Sequence, residues 1–179
     1  MVDIETLGNK PGAVILSISA VQFDLETGYI GKEFHVDIDP ESCVNMGLNM
    51  DVSTVMWWMG QSDEARKKIV EPTKVRVSLG AALAEFTRWC AFTYQGKDFQ
   101  IWGNSNRFDL GLLARAYDVL DLPYPWNHRL ERDVRTLVSF APEVREEEDK
   151  NFVGVEHYGI DDCKHQIKYC AKTYQLIMG

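Results

Sequence analysis

The sequence lacks the features of a membrane protein, a secreted protein or a disulfide-stabilised protein. No apolar run approaches 18 residues, and no basic segment followed by an apolar one stands near the N-terminus. The four cysteines show no CxxC spacing, which argues against a zinc site and favours free, mostly buried thiols. We therefore expect a cytoplasmic protein without a membrane span.

The sequence also lacks an excess of positive charge. Its net charge of −8 argues against bulk electrostatic attraction to nucleic acid or to an anionic membrane. An enzyme that acts on nucleic acid is still compatible with this charge. Carboxylates that hold divalent metals make the metal-free chain acidic, and the bound ions then attract phosphate.

No internal repeat, low-complexity tract or linker is present, so we predict one domain over residues 1–179. The order of the predicted elements indicates an α/β layer fold, with an antiparallel hairpin in a mixed sheet and helices on both faces. Residues 13–24 are predicted to form a long central strand, which pairs with the next strand in the hairpin, and residues 99–103 a short strand. Helices are predicted over 51–69 in two pieces capped by Asp51 and Ser62, from the cap Ser78 to residue 93, and over 106–120 and 159–178. The chain from residue 132 begins extended and becomes a short helix before Pro142, and the acidic stretch Glu143–Asp149 is predicted to be a surface loop.

The stretch "VDIETLG" places two acids on one face of a short strand. Side chains alternate along a strand, so Asp3 and Glu5 point one way, whereas Val2 and Ile4 point into a core. Two carboxylates this close repel each other unless a cation lies between them. The pair is therefore either a solvated edge or half of a metal site.

Two later stretches carry further acids. In "NRFDLGLL", Asp109 lies on the apolar side of a predicted helix, where a charge needs a partner or a metal. In "HYGIDDCKHQ", His157, Asp161 and Asp162 lie at the start of the last helix. Each has a structural alternative, because Asp109 can complement the helix dipole and Asp161 or Asp162 can be an N-cap. Their joint occurrence with the acidic pair favours one metal site.

These three stretches together resemble the three motifs of the DEDDh 3′–5′ exonucleases, the DnaQ-like branch of the ribonuclease H-like superfamily. The resemblance covers the chain from Asp3 to the C-terminus. The segments "TVMWWMGQSDEAR" and "RDVRTL" are similar to a bacterial and phage subgroup, which contains the mycobacterial-type 3′–5′ exoribonuclease domain and exonuclease VIII-like phage proteins. The resemblance implies a ribonuclease H-like fold, with a five-stranded mixed sheet flanked by helices and the site at the sheet centre.

The resemblance also implies the site and the reaction. Two divalent cations, Mg²⁺ or Mn²⁺, would be held by four acids, and a histidine would take a proton from the attacking water. The expected reaction is hydrolysis at the 3′ end of single-stranded RNA or DNA with release of nucleoside monophosphates, and a homodimer is a possible assembly. The implied metal ligands are Asp3, Glu5, Asp109 and Asp162, the implied base is His157, and the implied substrate-binding residues are Thr6, Leu7, Asn106 and Phe108.

Several alternatives stay open at this point. Residues five apart on a helix diverge by about 140°, so we expect His157 to precede the helix that carries Asp162. A sister branch uses Tyr-x3-Asp, which Tyr158 satisfies, although a tyrosine with a pKa near 10 is a poorer base. Trp57 and Trp58 either stack on a base or pack against the sheet. The same fold can also serve as a binding module without catalysis, or as an endonuclease or transferase of the wider class.

Overall fold

One five-stranded mixed sheet forms the centre of the protein, in a computed structural model that describes residues 1–71 and 75–179. The strand order is β3-β2-β1-β4-β5, and β1 pairs antiparallel with β2 and parallel with β4. The antiparallel β2–β3 pair is the predicted hairpin. The strands are β1 (Val2–Thr6), β2 (Ile15–Phe23), β3 (Ile30–Asp37), β4 (Ile101–Gly103) and β5 (Glu131–Asp133).

Helices cover both faces of this sheet, as the element order predicted. The helices are α1 (Pro40–Asn45), α2 (Val52–Met59), α3 (Asp63–Val70), α4 (Leu79–Tyr94), α5 (Asp109–Val119), α6 (Val134–Val138), α7 (Pro142–Asp149) and α8 (Gly159–Met178). Ser62 and Ser78 cap α3 and α4 through their side chains, as predicted. Asp51 precedes α2 without a side-chain capping bond.

Two apolar clusters pack against the sheet, one on each face. Val2 and Ile4 of β1 belong to a cluster that includes Leu83 of α4 and Leu113 of α5. The second cluster joins the sheet to α6 and α8, and includes Ile167. Because side chains alternate along β1, its two acids point toward the face that α8 covers.

The acidic stretch predicted as a loop is instead the helix α7. Pro142 begins this helix, where its missing N–H costs nothing. Glu148 is only 2% exposed, and its carboxylate is held by Lys168 and Lys172 of α8. Contacts with a distant helix thus stabilise a segment whose own sequence suggests a solvated loop.

None of the described helices is long and apolar enough to cross a membrane. All four cysteines are buried and free, as the spacing predicted.

The start of α8 comes very close to the sheet because its first residue is glycine. A Cβ on Gly159 would lie 2.5 Å from the Oγ of Ser19 and 3.1 Å from the Oδ2 of Asp3. Ser19 is fully buried, so it has little room to move. The absence of a side chain at Gly159 therefore lets α8 approach the acids of β1.

We predict that Gly159→Ala lowers the free energy of unfolding by about 1–3 kcal/mol, because the added methyl group overpacks the contact with Ser19. Gly80→Ala in α4 is the matched control. A Cβ at Gly80 would meet nothing within 4 Å, so this variant should gain up to about 1 kcal/mol. Urea denaturation of both variants measures the difference. A Gly159→Ala variant as stable as the wild type would contradict the close approach of α8 to Ser19.

Candidate metal centre

The predicted acids converge on one cleft of about 710 Å³. It lies where the parallel strands β1 and β4 end, the position at which α/β sheets usually bind ligands. The carboxylates come from β1, from the first residue of α5 and from the first turn of α8. The predicted residues that line the cleft are Asp3, Glu5, Thr6, Phe108, Asp109, His157 and Asp162.

The two acids of β1 lie side by side under α8. Glu5 is 9% exposed, and the Nε2 of Gln166 donates a hydrogen bond to the Oδ1 of Asp3 at 3.1 Å. Burial raises the pKa of both carboxyl groups well above their usual values, and the neighbouring acids raise them further. Ionising this pair is therefore unfavourable unless a cation compensates.

Asp109 is buried at the N-terminus of α5 and is only 3% exposed. The backbone N–H of Ser105 donates to its Oδ2 at 3.2 Å. Burial raises the pKa of Asp109 to about 7, although backbone hydrogen bonds partly oppose the shift. The prediction that this acid lies on an apolar helix face and needs compensation agrees with its burial.

Asp162 completes the acidic cluster beside His157. Ligand atoms of Glu5, His157 and Asp162 all lie within 4.8 Å of one another. Burial raises the pKa of Asp162 to about 7, against a hydrogen bond from the backbone of His157. Burial also lowers the pKa of His157, which favours its neutral imidazole.

The segment before α8 is fixed by Asp161. The Oδ2 of Asp161 accepts a hydrogen bond from the backbone N–H of Val155 at 2.9 Å. Gly154 has a φ of +129° and lies so close to the same carboxylate that a Cβ would be 2.6 Å away. His157 follows with a φ of +64° and precedes the helix, as its spacing from Asp162 predicted.

The donor set fits hard divalent cations. Asp149 and Glu156 also line this cleft, but none of the four predicted acids forms an ion pair with a lysine or arginine described in the structure. Carboxylate oxygens suit Mg²⁺ and Mn²⁺, whereas zinc prefers cysteine and histidine. The uncompensated charge and the oxygen donors both indicate a site for such ions.

The two tryptophans of α2 differ in burial, which decides between the two roles that the sequence left open. Trp58 is buried, and its Nε1 donates to the backbone oxygen of Thr6 at 2.8 Å. Trp57 is 46% exposed and also lines the cleft, with its ring centroid 4.9 Å from that of His157. Trp58 is thus a packing residue, whereas Trp57 presents an aromatic surface to the cleft.

Two predicted substrate-binding residues lie outside the cleft lining. Leu7 packs against the core cluster of β1, α4 and α5. The backbone N–H of Asn106 donates to the Oδ2 of Asp133 at 2.9 Å, which fixes the loop before α5. A direct role of Leu7 or Asn106 in binding stays a prediction.

Tyr158, the alternative base, points to a different part of the molecule. Its ring centroid lies 5.1 Å from that of His35, and the Nζ of Lys68 lies 4.2 Å above the ring. Burial raises the pKa of Tyr158, which lowers the fraction of phenolate available to accept a proton at neutral pH. This arrangement favours His157 over Tyr158 for proton transfer.

The sequence reasoning missed several residues of the cleft. Gln166 follows Asp162 by four residues, so helical periodicity alone places both on one face. His165 also lines the cleft, and its Nε2 lies 2.8 Å from the Oδ1 of Asp149. Arg135 and Arg145 also line the cleft, and only the arrangement of α6 and α7 places them there.

The sequence matches the model of one family, described as the 3′-5′ exoribonuclease Rv2179c-like domain, over residues 1–174. No curated protein matches the sequence.

Solved structures of nucleases share the fold at low sequence identity. Cell-death related nuclease 4 (CRN-4) has 14% sequence identity to this chain and a TM-score of 0.69. The match covers 99% of this chain but only 63% of that protein. The nuclease domain of 3′hExo, a DEDDh family member bound to rAMP, has 14% identity and a TM-score of 0.64, covering 97% of this chain and 90% of that one. A 3′-exonuclease that recognises the 3′ end of a histone mRNA stem-loop also has 14% identity and a TM-score of 0.64, with 97% and 80% covered. The predicted ribonuclease H-like fold is thereby confirmed.

We predict that Asp109→Asn stabilises the metal-free protein at pH 8 by about 1 kcal/mol or more, because one pKa unit corresponds to about 1.4 kcal/mol. The pKa of Asp109 is raised to about 7 in the folded state. Its ionisation therefore does not change the free energy of unfolding below pH 4 and lowers it by the full amount above pH 7. The gain should therefore be absent below pH 4, grow between pH 4 and pH 7, and stay constant above pH 7. Added Mn²⁺ should stabilise the wild type more than the variant.

Thermal unfolding with and without Mn²⁺ measures both effects. Asp98→Asn, an exposed Asp-to-Asn change outside this cleft, is the matched control and should leave both unchanged. If the metal-free Asp109→Asn protein is less stable than the wild type at pH 8, the claim that ionised Asp109 destabilises the metal-free fold is wrong.

Proposed function

The chain belongs to the Rv2179c-like 3′-5′ exoribonuclease domain family, and we propose that this 3′–5′ exonuclease releases nucleoside monophosphates from single-stranded RNA or DNA. The observation that carries the proposal is the convergence of Asp3, Glu5, Asp109 and Asp162 with His157 in one cleft. The acids come from three separate elements, β1, α5 and α8, so packing within one element does not explain the cluster.

We assign two divalent cations, Mg²⁺ or Mn²⁺, to the four acids. Bound there, the ions supply Lewis acidity to the phosphodiester and make a water molecule easier to deprotonate. Gln166 holds the carboxylate of Asp3, and the backbone of Ser105 holds that of Asp109. These hydrogen bonds keep the ligand oxygens in place before the ions arrive, which reduces the reorganisation that binding requires.

His157 is the proposed general base. Burial favours its neutral form, so it can accept the proton of the attacking water at neutral pH. Its ring packs edge-on to Trp57 and Trp58, with centroid distances of 4.9 and 5.8 Å. The water oxygen then bonds to phosphorus while the bond to the 3′-oxygen of the remaining strand breaks.

Thr6, Phe108 and Trp57 are positioned to contact the terminal nucleotide because they line the cleft beside the acids. The ring of Trp57 offers a stacking surface for a base, which is tolerant of sequence. Leu7 and Asn106 lie outside the cleft lining, and their contact with the nucleotide stays part of the proposal. One structural neighbour binds rAMP and another recognises an mRNA 3′ end, which supports a ribonucleotide end as one substrate of this cleft.

We also propose that the protein acts in the cytoplasm. All four cysteines are free and buried, and burial raises the pKa of the Cys90 and Cys170 thiols to about 12. Such thiols are typical of proteins that fold in a reducing compartment.

We predict that His157→Ala lowers the cleavage rate by at least about 100-fold, since general-base catalysis contributes about 10²–10⁴-fold. Tyr158→Phe should retain activity near the wild type because Tyr158 packs away from the acids. Mn²⁺-dependent thermal stabilisation should persist in His157→Ala, which separates the loss of the base from the loss of the metal.

The assay uses 5′-labelled single-stranded RNA and DNA of matched sequence with Mg²⁺ or Mn²⁺. A ladder that shortens from the 3′ end supports the proposal, and the relative rates on RNA and DNA identify the preferred sugar. Tight binding without cleavage would indicate a binding module, and internal cuts would indicate an endonuclease. Full activity of His157→Ala with loss in Tyr158→Phe would reverse the assignment of the base.

A homodimer is the proposed assembly, and the exposed face of α2 is its proposed contact. Val52, Met56 and Met59 lie on that face at helical spacing and are 79, 60 and 61% exposed. We predict that Met56→Glu shifts the protein toward the monomer in analytical ultracentrifugation, because burying an unpaired charge is costly. Glu41→Lys, a charge change elsewhere on the exposed surface, is the control. A monomeric wild type at all concentrations would refute the dimer.

A further inference from the structure

The cleft extends beyond the acids to a second wall, which we call the α7 wall. It consists of Arg145, Asp149, Phe152, His165 and Tyr169, and all five line the same cleft as the acids. The α7 wall comes from α7, from the segment that follows it and from α8. None of these residues has a role in the hydrolysis described above.

The α7 wall and the side of the cleft formed by Trp57 and His157 lie on opposite sides of Asp162 along the chain. His157, which contacts Trp57, precedes Asp162 by five residues, whereas Tyr169 follows it by seven. Seven residues of α-helix span about 10 Å. Since a stacked strand advances about 3.4 Å per nucleotide, the α7 wall is within about three nucleotides of the acids.

Arg145 is held in place within this wall. Its Cζ lies 5.6 Å from the ring centroid of Tyr169, and its Nε lies 3.4 Å from the Oδ2 of Asp149. Asp149 is in turn 2.8 Å from the Nε2 of His165, whose ring packs edge-on to Phe152. The ion pair uses Nε, so the terminal amino groups of the guanidinium remain for a bidentate contact of the kind that phosphate favours.

Arg135 brings a second positive charge to the same cleft from the exposed side of α6. The protein as a whole carries a net charge of −8 and repels a polyanion. Metal ions bound to the four acids would neutralise negative charge only near the scissile phosphate. Phosphates further along the strand therefore need local positive charge. Arg135 and Arg145 bring it to the cleft, where Asp149 and Glu156 offset part of it.

We propose that Arg135 and Arg145 bind backbone phosphates of the retained strand, about one to three nucleotides on the 5′ side of the scissile bond. This inference rests on the proposed exonuclease function and adds the path of the strand. The released nucleotide lies on the side of Trp57 and His157, and the remaining strand leaves along the α7 wall.

Substrates of graded length test the proposal, with di-, tetra- and octanucleotides of the preferred sugar that carry a fluorophore at the 5′ end through a phosphate-free linker. The only phosphate of a dinucleotide is the scissile one, so it cannot reach either arginine. The variants are Arg135→Ala, Arg145→Ala and Arg145→Lys. Arg129→Ala, which removes an exposed arginine outside the cleft lining, is the matched control.

We expect each alanine variant to lower kcat/KM on tetra- and octanucleotides about tenfold, mainly through KM, with no change on the dinucleotide. The slope of log KM against log salt should decrease by about 0.7 for each arginine removed. Arg145→Lys should lie between the wild type and Arg145→Ala, because it keeps the charge but not the fork. Arg129→Ala should match the wild type at every length.

Fluorescence anisotropy of the same length series, with Ca²⁺ in place of Mg²⁺, measures binding independently of cleavage. Equal losses at all lengths, including the dinucleotide, would overturn the proposal because the arginines would then act at the scissile phosphate. Unchanged kinetics and binding in both Arg135→Ala and Arg145→Ala would overturn it as well. An inactive wild type would refute the exonuclease proposal instead, and the anisotropy series would still decide whether the arginines bind upstream phosphates.

Discussion

The proposed site depends on four carboxylates, all at least partly buried, that share one cleft. Asp3, Glu5, Asp109 and Asp162 all have pKa values raised by burial, so their ionised forms are unfavourable without a compensating cation. A protein that kept these acids only for stability would be better served by apolar residues. The cluster therefore has a functional reason, and the hydrogen bonds around it hold the oxygens where cations would bind.

The fold brings these acids together through three local devices. Strand β1 lies at the sheet centre, between an antiparallel and a parallel neighbour, and its alternation turns both acids toward α8. Gly159 removes the side chain that would keep α8 away from Ser19. The hydrogen bond from Val155 to Asp161 then sets the segment that positions His157.

Periodicity predicted the sheet and the long helices because those features depend on neighbouring residues. The convergence of the acids was implied by the resemblance of three motifs to a known family. The helix α7 was missed because its stability depends on a contact of Glu148 with Lys168 and Lys172, about twenty residues further along the chain. Arg145 was missed for the same reason, since its position follows from that helix. Leu7 was implied at the substrate by resemblance to a known family; it packs against the core cluster, and its role at the substrate stays a prediction.

The most direct test of the central claim is anomalous diffraction from crystals soaked in Mn²⁺. The account predicts two manganese peaks about 3.5–4 Å apart, within coordinating distance of carboxylate oxygens from β1, α5 and α8. Peaks elsewhere, or a cleft without manganese at saturating concentration, would contradict the claim that these acids form a metal centre.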